Sequence, residues 1–202
     1  MPLWLDPNPL ILASRSTARR AMLMAAGIPV EMSPADIDER SVESRAGPLD
    51  ASQAAVLLAR EKARSAGAQF SNRFVVGADQ TLALGNRRFA KPGTHAAVRD
   101  QLRALAGRTH ELHSAVAVAR DGRVVFSHVD TARLTMRAIS DRFIDSYLDA
   151  VGADVLSSVG GYQFEKFGVH LFERIEGDHF TILGMPLIPL LAFLRREGSL
   201  AS

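Results

Sequence analysis

An α/β chain, with a mixed sheet and helices packed on it, is what this sequence predicts, and three observations predict it. Short apolar runs of strand length alternate with segments of helical period through the first half of the chain. Two β-rich runs, Ser114 to Ala119 and Val124 to His128, flank Arg120-Asp121-Gly122, and Asp-Gly marks a hairpin, hence antiparallel pairing. No repeat or low-complexity tract interrupts the pattern, so one unit is read rather than an array. At 202 residues and 47% hydrophobic, a chain buries roughly 70% of the surface its unfolded form exposes, enough for a core without disulfides or structural metal. One domain over 1–202, or two lobes around a cleft, is expected.

Taken in order, Leu10 to Ala13 is wholly apolar and reads as a buried strand. Ser14, Ser16 and Thr17 supply hydroxyls before a helix from Arg19 to Ala26, which Gly27 ends. Val30 to Ser33 is a second strand, and Pro34 to Leu49, rich in acids, Pro and Gly, reads as a long surface loop. Ser52 precedes a helix to Ala66, with Ala55, Leu58, Ala59 and Ala63 on one face. Phe74 to Val76 is a strand running into Gly77-Ala78-Asp79, and Thr81 to Leu84 continues it. Gly85-Asn86 turns the chain and Arg88 to Ala90 returns. His95 to Leu105 is helical, Ser140 caps another helix reaching Tyr147, and Leu171 to Ile175 and Thr181 to Leu183 read as late strands. Pro186 opens a closing helix to Arg196.

Composition excludes several classes of function. Zero Cys rules out a disulfide scaffold, a thiolate zinc site and a cysteine nucleophile, and makes the cytoplasm the default compartment. The start, MPLWLDPNPLILAS, has no basic region and too short an apolar run for a signal peptide or membrane span. The pI near 9.4 overstates basicity, because 24 Lys+Arg oppose 22 Asp+Glu for a formal charge of +2. No basic block or Arg-aromatic interleaving supports nucleic-acid binding.

Four groups of residues carry chemistry. Ser14-Arg15-Ser16-Thr17 leads to Arg19-Arg20 at a helix N-terminus, where unpaired N–H groups, hydroxyls and guanidinium groups could cradle a polyphosphate; a plain N-cap with exposed arginines is the alternative reading. Asp36, Asp38 and Glu39 offer oxygen ligands suited to Mg²⁺ or Mn²⁺, or form only a solvated acidic loop. Asp79, after Gly77-Ala78 at a strand end, is a site carboxylate or a turn cap. Lys62 and Lys91 could each neutralise phosphate charge or merely solubilise the surface. Gly160-Gly161-Tyr162-Gln163-Phe164-Glu165 reads as a tight loop bearing polar side chains, or as a segment kept only for packing. The six His lack a metal-ligand pattern, and His110 and His113 are read as strand-edge residues.

In this order, the pieces resemble the Maf family of nucleoside triphosphate pyrophosphatases. The marks are LILASRSTARRAML (Leu10 to Leu23), DIDER (Asp36 to Arg40), AREKA (Ala59 to Ala63), VVGADQTL (Val75 to Leu82), AKP (Ala90 to Pro92), GRTHEL (Gly107 to Leu112), VGGYQFEKFG (Val159 to Gly168) and IEGDHFTILGMPLIPLL (Ile175 to Leu191). The resemblance implies an elongated mixed sheet flanked by helices, in two lobes around a nucleotide cleft, as in the inosine triphosphate pyrophosphatases. It implies hydrolysis of nucleoside triphosphates between the α and β phosphates with Mg²⁺ or Mn²⁺, and a house-cleaning role against modified nucleotides. It places phosphate binding on Ser14, Arg19, Lys62 and Lys91. Asp79 becomes the proton acceptor, and Glu39 with Asp79 the metal carboxylates. Arg15 and Thr17 stand where the family has a small residue and a proline. Ala18 replaces the Arg of the pyrimidine branch and the Trp of the 7-methyl-GTP branch, while Gln80 resembles the latter. Ala18, Gln80, Gln163 and Glu165 are the base-pocket candidates. The family often forms homodimers, and it also carries a rival reading, a nucleotide-binding regulator of septum formation without essential turnover.

Overall fold

The computed structural model describes residues 2–201; of the unit expected over 1–202, Met1 and Ser202 lie outside the described residues. β1 (Leu10–Leu12) is buried along its whole length. It leads into α1 (Thr17–Ala25), where the hydroxyl of the N-cap, Ser16, accepts from the Arg19 amide. Gly27, at φ 75, lets the chain leave the helix, and β2 (Val30–Met32) returns parallel to β1.

Where the sequence predicts a loop from Pro34 to Leu49, the structure holds a helix, α2 (Glu39–Ala46). Only Val42 of this helix is buried, so no apolar stripe announces it, and the flanking Pro34, Gly47 and Pro48 read as loop. Local signals make it: the Asp38 side chain accepts from the Ser41 amide, and Glu39 and Arg45 suit the two dipole ends. α3 (Ala51–Gly67) follows, capped by Asp50 and Gln53 in a reciprocal box rather than by Ser52.

β3 (Val75–Leu84) organises the rest. One edge pairs antiparallel with β5 (Thr109–Arg120) from Val75 to Ala83. The other edge changes partner: Val75 and Val76 pair parallel with β1, and Leu82 to Leu84 pair antiparallel with β4 (Arg87–Phe89). Between those pairings, residues 77–81 have no strand neighbour on that edge among the described residues. At Gly77 a side chain would force the backbones apart, because its Cβ would lie 2.2 Å from the Ala59 carbonyl oxygen. α3 therefore crosses β3 in backbone contact.

After α4 (His95–Leu105), β5 and β6 (Arg123–Met136) form a hairpin longer than the two runs read from sequence. Asp121 and Gly122 both take positive φ at its turn. His113 lies inside β5, between Thr81 of β3 and Thr131 of β6 and not at a strand edge, while His110, one residue from the start of β5, pairs with Leu134 of β6 beyond the β3 ladder and is fully buried. α5 (Asp141–Val151) starts at the Ser140 cap, and β7 (Phe172–Glu176) pairs with β6. Thr181 to Leu183, expected as a strand, belongs instead to α6 (His179–Ile182) and its C-cap. Three apolar or β-branched residues carry no period, and Asp178, accepting from the Phe180 and Thr181 amides, decides for helix. α7 (Leu187–Arg196) closes the chain.

The result is a mixed seven-stranded sheet in the order β2-β1-β3-β5-β6-β7, with β4 beside β3, flanked by helices. Two hydrophobic clusters meet along β3. Leu12, Leu23, Val76 and Phe193 belong to one, with α1 and α7. Leu82, Leu102, Leu134 and Ile144 belong to the other, with α4 and α5. On the opposite face, Ala55, Ala59 and Ala63 of α3 pack on Ala115, Ala117 and Ala119. Among the described residues, no helix is long and apolar enough to cross a membrane.

Candidate functional site

The unpaired edge of β3 is where strand partners switch, and there backbone and side chains from both faces of a sheet can meet one ligand. Side chains alternate along a strand, so Asp79 faces α3 while Gln80 faces α6. Asp79 is 8% exposed. Lys62, which lies between the Ala59 and Ala63 contacts on α3, donates from Nζ to Asp79 Oδ1 at 2.6 Å. The same Nζ lies 2.7 Å from Glu39 Oε1. α2, α3 and β3 thus each contribute one charge to a carboxylate-ammonium-carboxylate cluster.

Arg19 fills the gap from the β1 side. Its Nη1 donates to the Ala78 carbonyl at 2.8 Å and to Ser14 Oγ at 3.2 Å, and its Nε donates to the Gly184 carbonyl at 2.9 Å. The Ala78 carbonyl is one that β1 ends too early to pair, so the guanidinium replaces a strand. Burial pushes the Arg19 pKa down, against the pull of Asp79 and Glu39. Ser14 Oγ also accepts from the Ser16 amide at 3.2 Å. The hydroxyl, the guanidinium and the N-terminus of α1 are therefore held together before any anion arrives.

Electrostatics differ between the two carboxylates. Burial drives Asp79 above the usual carboxylate range, against Lys62 and Arg19. Burial also raises Glu39, but its hydrogen bond to Lys62 and the charges of Lys62, Lys91 and Arg19 take it below that range. Lys91 is exposed, yet close enough for its charge to act on Glu39.

Beside this cluster a pocket of about 530 Å³ runs along α1, lined by Thr17, Ala18, Ala21, Met22, Ala25 and Ala26 against Glu165, His179, Phe180, Leu183 and Leu187. Its walls are mostly apolar, as ligand pockets are. Ala18 and Glu165 line it. Gln80 does not: its amide donates to Ser114 Oγ, the Thr181 carbonyl and the Ile182 carbonyl at 2.9, 3.1 and 3.1 Å. Gln163 does not either, its amide turning to the Asp154 carbonyl at 3.5 Å. Sequence reasoning missed His179, Phe180, Leu183 and Leu187 as walls, although Asp178 before an apolar run is a readable N-cap.

A family model described as Maf-like protein matches residues 9–197. The chain belongs to the Maf family. It is similar to a nucleoside triphosphate pyrophosphatase of Nitrobacter hamburgensis, 52% identical over 201 residues and 100% of both chains. A protein of the same name from Rhodopseudomonas palustris is 55% identical over the same share. A 7-methyl-GTP pyrophosphatase of Rhizobium meliloti is 48% identical over 95% of this chain and 97% of that one. Among solved structures, a HAM1 protein from Coxiella burnetii is similar with a TM-score of 0.43 at 17% identity, over 63% of this chain and 72% of that one.

In this Maf protein the residues expected from the motifs divide by position. Ser14, Arg19, Lys62, Asp79 and Glu39 gather at the β3 edge, with Lys91 at its exposed rim. Ala18 and Glu165 line the neighbouring pocket, while Gln80 and Gln163 are spent on backbone carbonyls. Asp36 and Asp38 are exposed, and Asp38 serves α2 as its cap. Among the described residues no group of three or more His, Asp or Glu side chains gathers as a metal site; Asp79 and Glu39 are two oxygen donors of the kind a hard divalent ion takes, and Lys62 stands between them.

Proposed function

We propose that this Maf protein hydrolyses nucleoside triphosphates at the α–β phosphoanhydride, releasing the nucleoside monophosphate and pyrophosphate. The observation that carries the reading is the Lys62 ammonium between Asp79 and Glu39, adjoining Arg19 and Ser14 at a helix N-terminus. Such a set is what attack of water on a polyphosphate requires: a base, fixed positive charge, and positioning. The names of relatives at 52% and 55% identity over the full length support it.

Asp79 acts as the base. Lys62 holds Oδ1, so Oδ2 receives the proton as the water oxygen bonds to phosphorus and the bridging P–O bond breaks toward pyrophosphate. Burial, which raises its pKa, makes it a better proton acceptor than a solvated carboxylate. Arg19, Ser14 and Lys91 bind phosphate oxygens, and Lys62 offsets charge building on the leaving group. Glu39 and Asp79 would hold Mg²⁺ or Mn²⁺, which would supply Lewis-acid polarisation of the phosphates. The base enters the apolar pocket, where the small Ala18 leaves room for a purine, modified or not, between α1 and the α6 wall. The similarity to a 7-methyl-GTP pyrophosphatase supports a modified base, and with it a house-cleaning role. Exposed Leu3, Met24 and Ile188 support pairing of two copies, and the lack of Cys supports action in the cytoplasm.

The test is pyrophosphate release from a panel of canonical and modified nucleoside triphosphates with Mg²⁺, Mn²⁺ or EDTA, beside Asp79→Asn. Metal-dependent release that the variant loses supports the reading and ranks the bases. Silence of the folded wild type across the panel would overturn it in favour of the septum-regulator reading.

A further inference from the structure

α2 brings Glu39 to the site, yet Val42 is its one buried residue and the helix has 8 residues. A helix this short is not stable in water alone, so its place is set by what its side chains grip. Three of them grip within one turn. Glu39 meets Lys62, Val42 packs inward, and Glu43 takes both of its oxygens to Arg88, whose Nη2 donates at 2.9 and 2.8 Å. Positions i, i+3 and i+4 share a helix face, so one face of α2 is anchored from its first residue to its middle. Arg88 pairs with Ala83 in the β3–β4 ladder. Cross-strand partners lie on one face of the sheet, and Ala83 shares the face of Asp79. The ion pair therefore draws α2 onto the very face where Asp79 and Lys62 stand.

We propose that Arg88 is a positioning residue: through Glu43 it seats α2 and so fixes Glu39 against Lys62 beside Asp79. The inference rests on the reading of Glu39 as a site carboxylate. Arg88 touches neither Glu39 nor Asp79; it acts by keeping undocked α2 rare. Its neighbour Arg87 carries the same charge on the same short strand but lies over the Phe89 ring, 4.6 Å from its centroid, on the opposite face. Arg87 is thus an internal control for net charge near the phosphates.

The experiment is a double-mutant cycle of Arg88→Met and Glu43→Gln, with Arg87→Met as control. It is read by amide hydrogen exchange of residues 39–46 in the free protein and by kcat/KM for pyrophosphate release. Under native conditions exchange reports the open fraction of a segment. Each single substitution should raise α2 exchange by about 2- to 5-fold, the scale of a partly exposed ion pair, and lower kcat/KM by a similar factor. The double variant should add nothing further, and Arg87→Met should match wild type in both readouts. Unchanged α2 exchange in the singles would overturn the proposal. So would an effect of Arg88→Met that Glu43→Gln does not share, because that pattern is loss of charge rather than of seating. A wild type that releases no pyrophosphate would retire the functional reading instead, and the exchange cycle would then decide the seating of α2 by itself.

Discussion

Lys62 Nζ lies 2.6 Å from Oδ1 of Asp79, an ion pair that exists because Gly77 lets α3 touch β3 two residues before the carboxylate. The pair holds a charge that burial opposes. Asp79→Asn removes the basic oxygen and keeps the shape, while Lys62 retains Glu39 as a partner. Turnover should fall by at least ~10²-fold, the scale of losing a general base, with the melting temperature unchanged or raised, since a buried charge is gone. Steady-state kinetics and thermal unfolding on one preparation check both halves. Near-normal kcat in a folded variant would remove Asp79 from the mechanism.

Arg19 makes three hydrogen bonds in different directions, to Ala78, Gly184 and Ser14. A lysine keeps the charge but cannot reproduce a planar fork. Arg19→Lys should therefore lose roughly 10- to 100-fold in kcat/KM, on the scale of one to two charge-assisted hydrogen bonds. If kcat/KM stays within twofold of wild type, charge alone suffices and the fork is incidental.

What the sequence revealed and what it hid follow one physical division. β1, α1, α3 and the β5–β6 hairpin were legible because each carries its own period, cap or turn: Leu10 to Leu12 is apolar throughout, Gly27 ends α1, and Asp121-Gly122 turns the hairpin. α2 and α6 were not, because a single buried residue in α2 and the four residues of α6 carry no helical period, so that only the caps Asp38 and Asp178 mark them. Val42 is a single apolar residue, and Glu43 finds Arg88 only once β4 is folded. The site divides the same way. Motif resemblance nominated Ser14, Arg19, Glu39, Lys62 and Asp79 by residue type, and the fold gathers them at an edge that strand order creates. Gln80 shows the limit: adjacent to Asp79 in sequence, it faces the other side of the sheet and holds α6 by its carbonyls.

At Gly77 the backbones of α3 and β3 approach too closely to admit a methyl group, so this residue tests whether that approach sets the site. A methyl group there would meet Ala59 O at 2.2 Å and Ala63 N at 2.4 Å, both backbone atoms of a helix that cannot yield locally. Gly77→Ala should destabilise the protein by about 3 kcal/mol or more, at the upper end of overpacking. Because α3 must lift, Lys62 is carried from Asp79, so residual folded protein should also lose activity. Denaturant unfolding together with specific activity per folded molecule separates the two effects. A stable Gly77→Ala protein would mean that the helix rides farther from β3.

His110 sits fully buried in β5, its Nε2 2.7 Å from the Tyr162 hydroxyl and its Nδ1 without a hydrogen-bond partner among the described residues. Burial lowers its pKa to about 4. An unfolded histidine binds its proton near pH 6.5, so between pH 6.5 and about 4 the unfolded state holds more protons than the folded one. Linkage then makes stability rise with pH across that window and fall on acidification. At about 1.4 kcal/mol per pKa unit, the full loss below the window is on the order of 3 kcal/mol. The carboxylates held below their usual range, Glu39 among them, act with the same sign only at lower pH. His110→Phe deprives Tyr162 of its partner and costs stability at every pH, so the slope between pH 6.5 and 4.5 is the discriminating quantity. Urea unfolding at several pH values should show that slope shrinking in the variant. Equal slopes in the two proteins would mean that His110 takes up its proton while folded, and that the Tyr162 contact accommodates the charge.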